Sequence, residues 1–266
     1  MIKILTGYSD IGGSTIALSN LTNSLNDAGY ETIMYGPHDY HKLKCKEGKS
    51  GTLTQEVFNN INDDDIVIIH FLRLPFRPKG KKVILHCHEK WWYEVADTPQ
   101  FWDVAVFQNE EHRNYHNRYV GKSTWIANIK EPLEKKDKTH LDKVAGIIGS
   151  IEDRKQTHIS IQRALKDKCE KIYIFGKVGE QNYYNTFVKP LLNPRIVEYG
   201  FTEEKQQMYD MIGRVYHSSK AETATLVKDE CYTTGTKFIG NENTQNEVST
   251  LTNEEIIEKW KIVLEL

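Results

Sequence analysis

The chain has 266 residues, 39% hydrophobic and 27% charged, a mix that suits a folded soluble protein with room for two domains of ordinary size. Its 35 Lys and Arg against 37 Asp and Glu, balanced in both halves, exclude an overall charge that would select a polyanionic or cationic partner. No apolar run approaches the ~20 residues of a membrane span. Met1 to Gly7 reads as a strand rather than a leader, and Cys45, Cys87, Cys169 and Cys231 lack CxxC spacing, so reduced thiols and a cytoplasmic location are expected.

Apolar runs alternate with amphipathic stretches, the pattern of βαβ units. In the first half the predicted strands are Ile2–Thr6, Thr32–Tyr35, Ile66–Phe71, Lys82–His88, Val104–Phe107 and Thr124–Ala127. A helix over Ser14–Ala28 carries Ile16, Leu18, Leu21 and Leu25 at helical spacing and ends at Gly29. Residues 131–142 contain Pro132 and a run of Lys, Asp and Glu, and read as a linker between a domain over 1–130 and a second over 143–266. The second alternation comprises strands Val144–Ile148, Lys171–Phe175, Arg195–Glu198, Val215–His217 and Lys237–Ile239. Between and after them fall helices Thr157–Lys166, near Tyr183–Leu191, Thr202–Ile212, near Ala224–Glu230 and Asn253–Leu264. Two Rossmann-like α/β domains would face a cleft at the carboxyl ends of their strands.

Glu222 and Glu230 stand eight residues apart, just before Gly235 and the strand Lys237–Ile239. Were both on one turn-plus-helix unit, helix rise would separate them by roughly 12 Å, the scale of a nucleotide sugar. Two solvated helix acids would have the same spacing. Gly12-Gly13-Ser14 follows the first strand and opens the first helix, where glycine lets backbone approach a ligand or simply pack. The full GxGxxG fingerprint is absent, which argues against a dinucleotide oxidoreductase. In His86-Cys87-His88, alternation puts the two histidines on one face of a strand, so one strand cannot turn all three groups onto a metal. Asp63-Asp64-Asp65 precedes a strand and so lies away from the cleft, against a metal-binding role. Arg73, Arg77, Lys79, Lys81 and Lys82 share one loop, and Lys42, Lys44, Lys46 and Lys49 another. With Trp91, Trp92, Tyr93, Phe101 and Trp102 they suit a polyanion with stacked bases, or equally two solvated loops and a small aromatic core.

The stretch from Val144 to about Gly240 resembles the nucleotide-sugar-binding domain of retaining glycosyltransferases of the GT-B fold, the large family-four type. The resemblance rests on Gly146-Ile147-Ile148-Gly149-Ser150 through Lys155, Ile172-Tyr173-Ile174-Phe175-Gly176, Tyr199-Gly200-Phe201, and Tyr209 to Ser219 before Glu222. Ser150 replaces the usual Arg and Gln156 the usual Gly. The resemblance implies that Lys155 holds the donor diphosphate, with Arg154 supplying the cation lost at Ser150. It implies that Glu230 holds ribose hydroxyls and Glu222 faces the donor sugar. Gly176, Thr223 and Ala224 would complete the donor-binding set, the last two near a helix start that adds positive character. The first half resembles the family's acceptor domain more loosely. There His88 would hydrogen-bond the donor sugar, and Gly12, Gly13, Ser14, His70, His86, Arg73, Arg77, Trp91 and Trp92 would line the acceptor side. Asn128 resembles an Asn before the family's linker.

The resulting expectation is a GT-B enzyme moving a sugar from a UDP-sugar to a hydroxyl with retention, needing no metal or other cofactor. Front-face attack would pass the acceptor proton to the donor phosphate, and domain closure would exclude water. Short forms of the family resemble bacteriophage enzymes that glycosylate hydroxymethylated pyrimidines in DNA. With the basic loops, this makes DNA an expected acceptor, in the host cytoplasm. Rival readings are a cell-envelope or small-molecule acceptor, a GT-B sugar-nucleotide epimerase, and a non-catalytic binding module. Oligomeric state has no signal in the sequence.

Overall fold

The computed structural model describes residues 1–8, 12–37, 45–89, 101–116, 122–244 and 246–265. They form two compact units, one of residues 1–130 with 250–266 and one of residues 131–249.

The first unit holds β1 (Ile2–Thr6), α1 (Gly13–Asp27), β2 (Thr32–Gly36), β3 (Ser50–Thr52), α2 (Gln55–Asn59), β4 (Ile66–His70), β5 (Lys82–His86), β6 (Val104–Phe107), α3 (Glu110–His116) and β7 (Ser123–Trp125). Its seven strands pair in parallel in the order β3-β2-β1-β4-β5-β6-β7. A parallel sheet is covered on both faces, so its strands are near-continuous apolar runs. Every residue of Ile66–His70 is buried. Alternate residues then feed two cores. Ile2, Ile4, Ile66, Ile68 and Ile84 pack with Leu18, Leu21 and Leu25 of α1. Leu5, Val67, Ile69, Val83 and Leu85 pack with Trp102 and Phe107 on the other face. Lys3 and Asp65 form a buried ion pair at 2.8 Å near the amino ends of β1 and β4, so the last aspartate of the acidic triplet is a structural partner.

The second unit holds β8 (Val144–Ile148), α4 (Thr157–Lys166), β9 (Lys171–Phe175), α5 (Gln181–Tyr183), β10 (Ile196–Glu198), α6 (Lys205–Asp210), β11 (Arg214–Tyr216), α7 (Leu226–Thr234) and β12 (Lys237–Ile239). The helix expected near Tyr183–Leu191 is α5 continued by a π turn over Tyr184–Val188 and a 3₁₀ turn over Lys189–Leu191. The five strands are parallel in the order β10-β9-β8-β11-β12. Residues 131–142, expected as a linker, lie along this unit. Lys138 donates to the Tyr209 carbonyl at 2.7 Å, and Glu131 meets Lys205 at 2.7 Å.

The last helix, α8 (Asn253–Leu264), differs from the expected placement in the second domain. Thr252 caps it, accepting from the Glu255 N–H while its own N–H donates to the Glu255 carboxylate, a reciprocal pair that fixes the first turn. Its apolar face, Ile256, Ile257, Trp260 and Leu264, is buried in the core of the first unit with Ile2 and Leu18. It shares the covering of that face of the first sheet with α1.

Candidate functional site

In each sheet the strand order reverses once, between β1 and β4 in the first and between β8 and β11 in the second. Open parallel sheets bind ligands at the carboxyl ends of the strands beside such a reversal. The second unit gathers its chemistry there. Gly149 to Lys155 follows β8, and His217 to Glu222 follows β11.

A tight backbone crossing builds the β8 side. A Cβ on Gly176 would stand 1.9 Å from the Gly149 carbonyl oxygen, so Gly176 serves the meeting of two strand ends as packing. The turn Asp153–Lys155 then presents its two cations, and Gln156 closes it in left-handed conformation, φ 52°. Glycine adopts that conformation without strain, whereas Gln156 does not. Gln156 compensates by donating from Nε2 to the Asp153 carbonyl at 3.1 Å.

Glu222 receives these groups. Lys155 Nζ lies 2.5 Å from its Oε1, His217 Nε2 3.1 Å and Arg154 Nη1 3.9 Å. Among the described residues no hydrogen bond reaches its Oε2. The carboxylate is thus pinned through one oxygen with the other left to accept. Burial alone would raise the Glu222 carboxyl, but the Lys155 ammonium and the His217 N–H outweigh it and hold it well below the usual carboxylate range. Arg154 is more exposed and also reaches Glu152 Oε1 at 3.0 Å and the Ala221 carbonyl at 3.3 Å. The loop behind Glu222 is clipped by two asparagines. Asn241 Nδ2 donates to the Ser219 carbonyl at 3.0 Å, and Asn246 Nδ2 to the Thr223 carbonyl. Thr223 and Ala224 lie in this loop, not in a helix.

Glu230 is placed differently. Helix α7 begins at Leu226, so Glu222 lies outside it and the ~12 Å taken from helix rise does not apply. Glu230, nearly buried, accepts from Lys205 Nζ at 2.5 Å and from Tyr209 Oη at 2.7 Å. Lys205 also meets Glu131, so one ammonium serves two acids. Burial opposes the Lys205 charge, yet Glu230 and then Glu131 outweigh it and raise its pKa. Burial and Glu230 push the Tyr209 hydroxyl well up, so it remains a donor.

In the first unit a polar layer crosses the carboxyl edge of the sheet. Thr6 Oγ1 and His70 Nδ1 meet at 2.8 Å across the strand reversal. His86 Nε2 meets Gln108 Nε2 at 3.0 Å, and the His88 ring lies 4.4 Å from His86 and 4.9 Å from His70. Trp260 of α8 packs edge-on to His86 at 5.0 Å. Burial pushes His70 down to about 3 and holds His86 and His88 well below the usual range, the neighbouring histidines adding to it. Gly12 precedes α1, its N–H donating to Thr15 Oγ1 at 2.9 Å; Gly13 and Ser14 form the first turn.

Arg77 departs from its expected place on the acceptor side. It pairs with Asp103 at 2.7 Å, and Asp103 also accepts from the Val83 N–H, which sets Arg77 at the amino end of β5 and β6. The loop returns to start β5, carrying Arg77 with it. Arg73 is exposed just after β4. Trp91 and Trp92 lie outside the described residues. Among the described residues no group of three or more His, Cys, Asp or Glu could hold a metal ion, and no helix is long and apolar enough to cross a membrane.

No family model matches the sequence, and no curated protein matches it. Solved structures do. Anabaena HepE in complex with UDP-glucose is similar with a TM-score of 0.74 at 14% identity, over 99% of this chain and 88% of that one. WaaG, a glycosyltransferase involved in lipopolysaccharide biosynthesis, is similar with a TM-score of 0.67 at 9% identity, over 100% and 91%. AviGT4, a glycosyltransferase involved in avilamycin A biosynthesis, is similar with a TM-score of 0.60 at 14% identity, over 97% and 87%.

The fold is GT-B. Both GT-B halves are doubly wound parallel sheets, as the alternation of strands and helices predicts. Within this frame Lys205, Asn241 and Asn246 are not among the expected site residues, and Tyr209 and His217 were expected only as parts of the helix and strand before Glu222. Lys205 and Tyr209, spaced by one helical turn, carried the one usable signal, since i and i+4 share a helix face.

Proposed function

We propose that this chain is a glycosyltransferase that moves a sugar from a UDP-sugar to a hydroxyl acceptor with retention and without a metal. The observation that carries the reading is the convergence of Lys155, Arg154 and His217 on Glu222 beside the strand reversal of the second sheet. Breaking the bond from the anomeric carbon to the phosphate oxygen leaves charge on a diphosphate, and fixed cations stabilise that charge. Lys155 and Arg154 are assigned to it. Glu222 Oε2 accepts from a sugar hydroxyl, and Glu230 accepts from the ribose. The acceptor oxygen attacks the anomeric carbon from the side the leaving group vacates. Its proton passes to a diphosphate oxygen, and UDP leaves. HepE, similar over nearly the whole chain, is described with UDP-glucose, which supports a uridine donor.

For the acceptor, a hydroxymethylated pyrimidine in DNA rests on the loop after β4. A cell-envelope saccharide is the second reading, favoured because Arg77 of that loop and Lys82 at the start of β5 are spent on Asp103 and Glu265. WaaG is described in lipopolysaccharide biosynthesis. The test incubates the protein with a panel of UDP-sugars and either hydroxymethylcytosine DNA, unmodified DNA or a saccharide acceptor, and reads a one-sugar mass gain. A gain on the modified DNA alone assigns DNA, and a gain on the saccharide assigns the second reading. Absence of transfer, donor hydrolysis and UDP binding together would overturn the glycosyltransferase.

A further inference from the structure

We infer that His217 is a positioning residue that holds Glu222 in place while Lys155 is engaged by the donor diphosphate. This rests on the donor-site reading above, which gives His217 no function of its own.

In the structure Glu222 Oε1 accepts from two close donors, Lys155 Nζ at 2.5 Å and His217 Nε2 at 3.1 Å. The two are not equivalent. Lys155 sits on a surface turn at the ligand edge, and a diphosphate arriving there competes with Glu222 for its ammonium. His217 has no such freedom. Its backbone N–H donates to the Ile239 carbonyl at 3.0 Å, continuing the β11–β12 pairing, and its ring lies 6.0 Å from that of Phe238. It is 4% exposed. Arg154, at 3.9 Å and also held by Glu152 and Ala221, is a poorer substitute. When Lys155 turns to phosphate, His217 is the donor that stays.

The chemistry fixes the tautomer. A carboxylate cannot donate, so Nε2 must carry the hydrogen. The charged groups facing the ring are Glu222, Lys155 and Arg154. Burial lowers the imidazole pKa, Glu222 pulls it up, and Lys155 and Arg154 push it down, with a net lowering. The ring is therefore neutral at pH 7, with Nε2–H aimed at Glu222 and Nδ1 bare. Glutamine places an amide N–H where Nε2 stands; leucine fills the space without one.

The experiment compares wild type, His217→Leu and His217→Gln in the full chain. UDP affinity is measured by calorimetry, and UDP release from whichever UDP-sugar wild type turns over is measured kinetically. His217→Leu should lower kcat by about 10- to 100-fold, the scale of a misplaced contact. Its UDP affinity should stay within about twofold, because UDP lacks the sugar that Glu222 meets. His217→Gln should recover most of the loss. Equal kcat in wild type and His217→Leu overturns the inference, as does an equal loss in both variants together with lost UDP affinity, which marks a structural role. Nitrogen-15 imidazole spectra at pH 7 provide a readout without turnover: an Nδ1–H tautomer for His217 also overturns it. A wild type that neither binds UDP nor turns over any UDP-sugar overturns the donor-site reading itself, and this inference with it.

Discussion

Replacing Lys205 with Met tests whether the second unit depends on one shared ammonium. In the structure Lys205 Nζ stands 2.5 Å from Glu230 and 2.7 Å from Glu131, and all three side chains are less than one-fifth exposed. Methionine keeps the stem and removes the charge, leaving two nearly buried carboxylates near each other without their common cation. Removing one partner of a buried ion pair costs about 3–5 kcal/mol. Some water reaches these acids, which favours the lower end, near 3 kcal/mol. The sign with pH follows from the raised lysine pKa. The contribution is fully present below the ordinary lysine value of 10.5 and is lost as pH rises through the higher folded value. All five tryptophans fall within residues 1–130 and 250–266, so fluorescence does not report on this unit. Amide hydrogen exchange of β8 to β12 does, and about 3 kcal/mol speeds globally exchanging amides roughly 100-fold. Adding Glu131→Gln and Glu230→Gln to Lys205→Met should return exchange to within about tenfold of wild type, because neutral groups no longer need the cation. Exchange within threefold of wild type in Lys205→Met alone would refute the reasoning and show the cluster to be solvated.

Two further outcomes follow from the same structure. Burial holds His70 near 3 when folded against 6.5 when unfolded, so the unfolded first unit binds the proton first as pH falls. Stability should be full above pH 6.5 and decline toward pH 3, by about 1.4 kcal/mol from His70 at pH 5.5, with His86 and His88 adding in the same direction; urea midpoints read by tryptophan fluorescence at pH 7.5 and 5.5 check this. Gln156, at φ 52°, should be replaceable by Gly within about 0.5 kcal/mol, because relief of strain offsets a lost hydrogen bond and a looser unfolded chain. Gln156→Val should cost more than about 1 kcal/mol, since a β-branched residue fits that conformation poorly; circular-dichroism melts separate the two.

Most strands were legible because a parallel sheet hides both faces of each strand. Ile66-Val67-Ile68-Ile69 can be little else. Ser50–Thr52 was not, because it is a short edge strand whose pairing to Met34, Tyr35 and Gly36 is made by backbone, without an apolar run. The start of α7 was legible to within two residues: a helix is expected near Ala224–Glu230, and it begins at Leu226 after Thr225, a residue type that favours helix starts although its side chain makes no cap bond here. The placement of α8 escaped for another reason. Periodicity says that Ile256, Ile257 and Trp260 share an apolar face, but not which sheet the face covers. The acids at 222 and 230 were legible as a spaced pair. Their cations were not, because Lys155 lies 67 residues from Glu222 and Lys205 is 25 from Glu230. Topology creates those meetings, and topology is not local.

The two acids are built for different degrees of commitment. Lys155 is shared with no second acid in the described structure, and His217 supports Glu222 behind it. That ion pair can open toward an anion without leaving Glu222 unheld. Lys205 is shared between Glu230 and Glu131, so moving it would strand two carboxylates together. Opening that pair costs more, since removing the cation from two nearly buried acids is unfavourable. A carboxylate offers about four lone-pair sites. With one Oε1 site on Lys205 and one Oε2 site on Tyr209, Glu230 retains acceptor capacity on both oxygens for a diol without giving up either partner. The exchangeable pair therefore lies where charge develops in the proposed reaction, and the fixed pair where a neutral ribose would bind.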